Sequence, residues 1–467
     1  MTIESEIFVE PGKLRGAAIE RLERGTPLGA YATANAVHYL FLEGRNVVVL
    51  TARTSADEPI AAVSGACPGL AWDEREMADE FGIRFDRLPD ARPFRPVGGE
   101  LPPAIVATGP GVMQVVVGPV HAGIIEPGRF TFSSGGETIA HLDFQIGYAH
   151  RGLERSFEGA DPRELAIRVA RVCGGCSAAR SLAYAMAVES ICDVRISEPV
   201  QDARLIVAEL ERIYNHLFDL AVCSAAAGFG AGQATGLGLK ERALRICRAA
   251  TGHRLLFDAI VPGGAGERVL EDREEVRMLL RALRAEFERY AAALFDNSSL
   301  IWRFRDTGTL SHDAARALAV VGPAHRGSGG LVDVRDAAPY GAYRWIPVVT
   351  AHEEAGDVLA RCRVKVAELR ASFDLIERAF DHLSGHALDR VEIIPPDSGQ
   401  DITVVEGPRG VETVALTVRG ARVQRVHFIS ASFRNWPAVA HATISGIIPD
   451  APLVNKSFNL CYACADR

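Results

Sequence analysis

Apolar residues recur through the middle of the chain at helical spacing. Ile206, Leu210, Ile213, Leu217 and Leu220 are separated by 4, 3, 4 and 3 positions, with Glu209, Arg212, Asn215 and Asp219 off the stripe. A longer series runs Val358, Cys362, Val366, Leu369, Phe373, Ile376, Phe380, Leu383. Each pattern predicts an amphipathic helix that buries one face against other helices. Helical patterns dominate from about 155 to 390. Ahead of them, residues 11–24 read as a helix, and 37–42 and 47–51 as two strands around the turn Glu43-Gly44-Arg45-Asn46. A short acidic helix follows over 72–82. Strand patterns occupy 105–108, 114–117 and 129–132, and return at 413–418 and 423–429. The last segment, 449–467, is too polar and too interrupted by proline for a long helix.

Pro89, Pro93, Pro96, Gly98, Gly99, Pro102 and Pro103 make a breaker-rich stretch, and the domain boundary is expected there. The fold class is therefore α+β. A small α+β domain over 1–100 precedes a mainly helical domain over 101–467 with β pieces near both ends. A chain of 467 residues is long enough for two or three domains with sizeable cores. Its charged (24%) and hydrophobic (48%) fractions are those of an ordinary globular protein. The net charge of −8, with no long basic run, argues against nucleic-acid binding. No apolar run approaches the roughly 20 residues of a membrane span, and the acidic N-terminus lacks an apolar signal core. A cytoplasmic location is expected, with any membrane association supplied by partners.

Nine cysteines in a reducing compartment read as metal ligands or core residues. Four of them form two Cys-x-x-Cys pairs, Cys173/Cys176 and Cys461/Cys464. Such a turn brings two thiolates within reach of one metal. Cys176 and Cys461 lie 285 positions apart, so only a fold spanning the whole interval can close a four-sulfur site. Cys173 and Cys176 precede a helical pattern through Leu182, Ala185 and Val188. A positive helix end and the nearby Arg171 and Arg180 favour the thiolate form. A soft four-sulfur site suits zinc, iron or nickel, and the cysteines alone do not choose among them.

Cys67, Cys192, Cys223, Cys247 and Cys362 read as small buried hydrophobes. The glycine-rich 228–238 segment follows a helix rather than a strand, so it reads as a flexible interhelical loop and not as a nucleotide loop. His216 reads as a hydrogen-bonded histidine at a helix contact.

The two cysteine motifs and the stretches between them resemble the large catalytic subunit of nickel–iron hydrogenases. The resemblance is to the energy-converting, membrane-associated branch of the formate hydrogenlyase type, which is homologous to the 49-kDa-type subunit of complex I. It rests on Gly118-Pro-Val-His-Ala-Gly-Ile-Ile-Glu-Pro-Gly128, Ile146-Gly-Tyr-Ala-His-Arg-Gly-Leu-Glu154, Glu211-Arg-Ile-Tyr-Asn-His-Leu217, Val261-Pro-Gly-Gly264, Glu406-Gly-Pro-Arg-Gly410, Asn435-Trp-Pro437 and Ile448-Pro-Asp-Ala-Pro-Leu-Val-Asn-Lys-Ser-Phe458. Trp72-Asp-Glu-Arg-Glu76 and Phe81-Gly-Ile83 resemble the 30-kDa-type subunit of complex I, fused in front.

The resemblance implies a nickel–iron centre whose iron carries carbon monoxide and cyanide. Cys173 and Cys461 would be terminal nickel ligands, and Cys176 and Cys464 would bridge the two metals. Glu126 matches a proton-passing glutamate. Arg409 matches an arginine over the metal pair, and Glu154 a carboxylate near a second site for magnesium or iron. The implied partners are an iron–sulfur small subunit of the complex I 20-kDa kind, ferredoxin-like and antiporter-like membrane subunits, and maturation proteins. The protein would sit peripherally on the cytoplasmic face of the membrane. Arg467 falls where family precursors are cut, as expected of a mature form or of a chain encoded without a tail.

Five positions depart from the family pattern: Gly175 for Ile or Val, Arg180 for His, Asn459-Leu460 for Asp-Pro, and Arg129 for His. The implied function is reversible cleavage of hydrogen. Two alternatives are a complex I-like electron-transfer or quinone-module subunit with a vestigial metal site, and a scaffold built on structural zinc.

Overall fold

The structure is a computed structural model that describes residues 5–55, 58–95, 100–121 and 125–467. Pro96, Gly98 and Gly99 of the breaker-rich stretch, the first four residues and Ala122 to Ile124 of the glutamate motif lie outside the described residues.

A four-stranded sheet opens the chain. Ser5–Val9 runs parallel to Asn46–Arg53, and Ala36–Glu43 and Thr26–Thr33 continue it antiparallel. The expected hairpin is present, with Glu43 paired to Asn46 across Gly44 and Arg45. Gly44 has φ +60, which a two-residue turn of this kind requires and glycine adopts without strain. The helix Leu14–Arg24 covers one face of the sheet through Leu14 and Ala18. Leu28, Leu40, Leu42, Val47 and Val49 on the other face join the main core of the molecule.

The acidic helix forms as Ala71–Phe81 and ends at Gly82 in the left-handed conformation. Only the last two of its five carboxylates, Asp79 and Glu80, are exposed. Asp73, Glu74 and Glu76 are buried, and Asp73 pairs with Arg434 at 2.7 Å.

Two further three-stranded antiparallel sheets bracket the helices. The first is Val112–Val117, Arg129–Gly135 and Thr138–Gln145; the second is Ser398–Gly407, Gly410–Arg419 and Arg422–Ile429. The strand expected at 105–108 does not form. Its backbone groups go to side chains instead of a ladder: Ala107 N donates to Ser133 Oγ at 3.0 Å, and the Ala107 carbonyl accepts from Gln114 Nε2 at 2.9 Å.

The two stripe helices form as Glu198–Ala226 and Val358–Leu383 and pack against each other. For the first helix the expectation of one buried face is overturned, because it is buried almost all round; the second keeps an exposed stripe at Arg363, Arg370, Asp374, Arg378 and Asp381, as an amphipathic helix should. Glu209, Arg212, Asn215 and Asp219 on the first, and Arg361, Lys365, Glu368 and Ser372 on the second, are all buried. They survive burial by pairing: Lys365 with Asp219 at 2.7 Å, Arg326 with Glu368 at 2.7 Å and Arg335 with Glu209 at 3.0 Å.

His216 lies in this contact as expected, its Nε2 2.9 Å from Glu368 Oε2.

The glycine-rich segment is not a loop. Helix Gly230–Thr251 runs through it. A Cβ on Gly236 would come within 2.5 Å of the Tyr290 hydroxyl and 2.7 Å of Ala221 Cβ, so the glycines serve close packing. The final segment breaks into the short helices Ala451–Phe458 and Tyr462–Asp466, with no long helix. Among the described residues, no helix is long and apolar enough to cross a membrane.

Candidate metal centre

Each Cys-x-x-Cys pair sits at a helix start. Cys176 caps Ser177–Ile191, and Cys461 caps Tyr462–Asp466. The Sγ atoms of Cys173, Cys176, Cys461 and Cys464 all lie within 4.8 Å of one another. Among the described residues no other group of three or more histidine, cysteine or acidic ligand atoms is gathered this closely. The second cysteine of each pair is the deeper one. Cys176 and Cys464 are 1% and 0% exposed, against 8% for Cys173 and a half-buried Cys461.

The central helix Glu198–Ala226 holds the first turn. Tyr214 OH donates to the Gly174 carbonyl at 3.0 Å, and Asn215 Nδ2 to the Gly175 carbonyl at 2.8 Å. Glu211 accepts from Ala178 N at 2.7 Å and Ala179 N at 3.0 Å, the free donors at the helix start. The second turn is held from other elements. Cys461 N donates to Ser432 Oγ at 3.0 Å, Ser430 Oγ to the Cys464 carbonyl at 3.1 Å, and Ala463 N to Glu126 Oε2 at 2.6 Å.

Two arginines tie the turns together. Arg409 donates from Nη1 to Asn215 Oδ1 at 2.7 Å and from Nε to the Asn459 carbonyl. Arg151 Nη2 reaches the carbonyls of Val172 at 2.8 Å and Ala463 at 3.4 Å. Hydrogen bonds from its three neighbours, with Arg409 behind them, hold Cys461 well below the usual thiol range, while thiol contacts and burial push Cys176 and Cys464 up. Partial desolvation raises Glu126 above the usual carboxylate range, and the charge at Cys461 adds to this. Burial also pushes Glu211 up to about 7. Four soft sulfurs flanked by buried guanidinium groups are a donor set that fits a thiophilic transition metal.

The departures now have places. A Cβ on Gly175 would stand 3.5 Å from Cys461 Sγ, so glycine leaves the space before that sulfur open. Arg180 is fully buried, 2.9 Å from Glu412 and 5.3 Å above the Phe428 ring. Asn459 has φ +51, closing helix Ala451–Phe458 in the left-handed conformation that asparagine tolerates. Its side chain donates to Asp219 at 2.5 Å.

Of the residues expected at the site, the four cysteines, Arg409 and Glu126 converge. Glu154 stands apart, accepting from His427 Nδ1 at 2.9 Å and Phe428 N at 2.8 Å. Glu211, Tyr214, Asn215, Arg151, Ser430 and Ser432 were not singled out as site residues. Glu209, Arg212, Asn215 and Asp219 are spaced 3, 3 and 4 apart, a second helical stripe that could have signalled a buried polar face.

Three family models match the chain in succession. Respiratory-chain NADH dehydrogenase, 30 Kd subunit, matches residues 25–98; nickel-dependent hydrogenase matches 151–221; and respiratory-chain NADH dehydrogenase, 49 Kd subunit, matches 228–398. The chain is 28% identical to formate hydrogenlyase subunit 5 of Escherichia coli (strain K12), covering 92% of this chain and 82% of that one. It is 28% identical to the carbon monoxide-induced hydrogenase of Rhodospirillum rubrum, over 76% of this chain and 99% of that one. It is 29% identical to an NADH-quinone oxidoreductase subunit of Phocaeicola vulgatus, with 80% of each covered.

The fold is that of a chain in the membrane-bound sulfane sulfur reductase, an archaeal respiratory membrane complex. That match has a TM-score of 0.70 at 23% identity and covers 76% of this chain and 99% of that one. In chain order the protein thus carries a 30-kDa-type region, a nickel-dependent-hydrogenase region and a 49-kDa-type region, and it is homologous to membrane-bound hydrogenase and complex I subunits.

Proposed function

We propose that the chain is the catalytic large subunit of a membrane-associated nickel–iron hydrogenase complex, interconverting hydrogen with protons and electrons. The observation that carries this reading is the buried cage of four sulfurs braced by Arg409. Cys173 and Cys461, the outer pair, suit terminal nickel ligands. Cys176 and Cys464, the deeper pair, suit bridging ones. A nickel–iron pair with carbon monoxide and cyanide on its iron supplies heterolytic cleavage of hydrogen when bound.

The chain's own groups would do the rest. Arg409 holds a fixed positive charge beside Cys461 and keeps both cysteine turns in register. Glu126 bonds to Ala463 N between the second pair of cysteines, partly exposed and with a raised carboxyl, which suits a group that takes up and releases a proton. The four paired cysteines are committed to the metals, and of the other five only Cys223 and Cys362 lie together, two sulfurs being too few to hold an iron–sulfur cluster. Electrons would therefore leave through an iron–sulfur small subunit. Ferredoxin-like and antiporter-like subunits would complete a complex on the cytoplasmic face of the membrane, and maturation proteins would load the metals.

Metal analysis and infrared spectroscopy of the purified complex test the proposal. Stoichiometric nickel with carbonyl and cyanide bands is expected, together with hydrogen turnover. Zinc as the sole metal at the cage would overturn it.

A second reading is favoured by the length of the 49-kDa match and by Asn459-Leu460 ahead of the last cysteine pair. On that reading the chain is an electron-transfer or quinone-module subunit with a vestigial cage. Replacing Cys461 with Ser separates the two. Loss of hydrogen turnover supports the first, and unchanged activity of the complex supports the second.

A further inference from the structure

The last residue of the sequence, Arg467, is fully buried three positions beyond Cys464. Its guanidinium lies between two carboxylates from distant parts of the chain. Nη2 donates to Glu76, on helix Ala71–Phe81, and Nε stands 3.4 Å from Glu154 Oε1. Nη1 donates to the Phe428 carbonyl, and the group lies 5.0 Å from the centre of the Phe433 ring. Both carboxylates have further partners. Glu154 accepts from Phe428 N and His427 and has Arg425 at 3.7 Å; Glu76 also accepts from Arg95.

The resemblance places a second metal beside Glu154, and the residues present do not fit one. A hard divalent cation gathers about six oxygen ligands. Here the Glu76 and Glu154 oxygens are turned toward guanidinium and imidazole N–H groups; His427 beside Glu154 spends its Nδ1 on that carboxylate, and the three side chains do not gather into one ligand set among the described residues. Two carboxylates facing Arg467, Arg425 and Arg95 are already neutralised. A further double positive charge would lack any counter-charge in a site closed to water.

We infer that the Arg467 guanidinium is the resident cation at this position, in place of a metal, and that Glu76 of the front helix supplies its anion. The last cysteine turn is thereby tied to the fused front region by a group that no chelator can remove. Arginine suits this role because its charge is permanent and its forked donors reach two carboxylates at once.

Purified complex equilibrated with Mn²⁺, a paramagnetic stand-in for Mg²⁺, tests the inference. Wild type should hold no tight Mn²⁺ at these carboxylates, and its thermal midpoint should not move with EDTA or added Mg²⁺. Arg467→His removes the guanidinium and offers an imidazole beside both carboxylates. It should gain one Mn²⁺ per chain by electron paramagnetic resonance and a thermal midpoint that rises with Mg²⁺. One tightly held Mn²⁺ per wild-type chain, or a folded Arg467→His chain that binds Mn²⁺ no better than wild type, overturns the inference. Should that variant not fold, Glu76→Gln decides. Its thermal midpoint should fall and stay low with Mg²⁺, and recovery with Mg²⁺ overturns the idea. Manganese at carboxylates is read separately from any metal on the four sulfurs.

Discussion

Arg409 donates a 2.7 Å hydrogen bond to Asn215, and through that bond the two cysteine turns share one brace. Asn215 passes it to the Gly175 carbonyl, and Arg409 to the Asn459 carbonyl. Asn215→Ala removes both the acceptor and the donor in one step. We expect a stability loss of about 1–3 kcal/mol, since a buried guanidinium loses a partner. Metal retention against a chelator should fall about 10- to 100-fold, as for other groups that orient ligands. Asn215→Asp keeps the acceptor and loses the donor, so it should fall between. Wild-type retention in Asn215→Ala would show that the brace does not position the sulfurs.

Glu126 accepts from Ala463 N at 2.6 Å, and a glutamine can keep that acceptor while losing the titrating proton. Glu126→Gln should therefore hold its metals at wild-type stoichiometry. Hydrogen–deuterium exchange from H2 in D2O should slow by about 100- to 10,000-fold, the range for removing a positioned proton carrier. An unchanged exchange rate would take Glu126 off the proton route.

The cage was legible because Cys-x-x-Cys turns announce themselves and their long separation demands a whole fold to close them. The hairpin at Gly44 was legible because two-residue turns need a residue that tolerates positive φ. Other features defeat pattern reading for physical reasons. Helical period cannot distinguish a solvated charged stripe from one turned toward another charged helix, so Glu209 and Asp219 read as surface. Each glycine of 228–238 counts as a breaker in composition, yet Gly236 is required by the approach of Tyr290 and Ala221 to the helix. Strand Ser398–Gly407 does not stand out because Asp401 and Glu406 confine its β-like run to four residues, yet both carboxylates are buried. Asn215 carries no signature of its own; only its distance to Arg409 gives it a role.

Arg180 and Glu412 form a fully buried pair at 2.9 Å, and Glu412 also accepts from Ala431 N at 3.2 Å. Arg180→Leu strands a carboxylate in the core. The expected cost is about 3–5 kcal/mol, the range for breaking a buried pair from one side. Adding Glu412→Gln should recover a substantial part, because the stranded charge is then gone. Denaturant midpoints across the four-member cycle measure this. Additive losses in the double variant would mean that the two side chains do not act as a pair.

His325 gives a pH dependence with a definite sign. It is 6% exposed, and its Nδ1 is buried with no hydrogen-bond partner among the described residues. Burial first, then the charges of Arg326, His312 and Arg316, lowers its pKa from 6.5 to about 4. The imidazole is therefore neutral in the fold at pH values where the unfolded chain already binds a proton. Its contribution is intact above about 6.5 and is lost as pH falls toward 4, reaching about 3 kcal/mol at the acid end. His325→Gln removes that titration. Its unfolding free energy should fall less steeply than that of wild type between pH 6.5 and 4, by up to about one proton in slope. Equal slopes would mean that the imidazole binds its proton as readily folded as unfolded, which a side chain closed off from water and flanked by arginines cannot do.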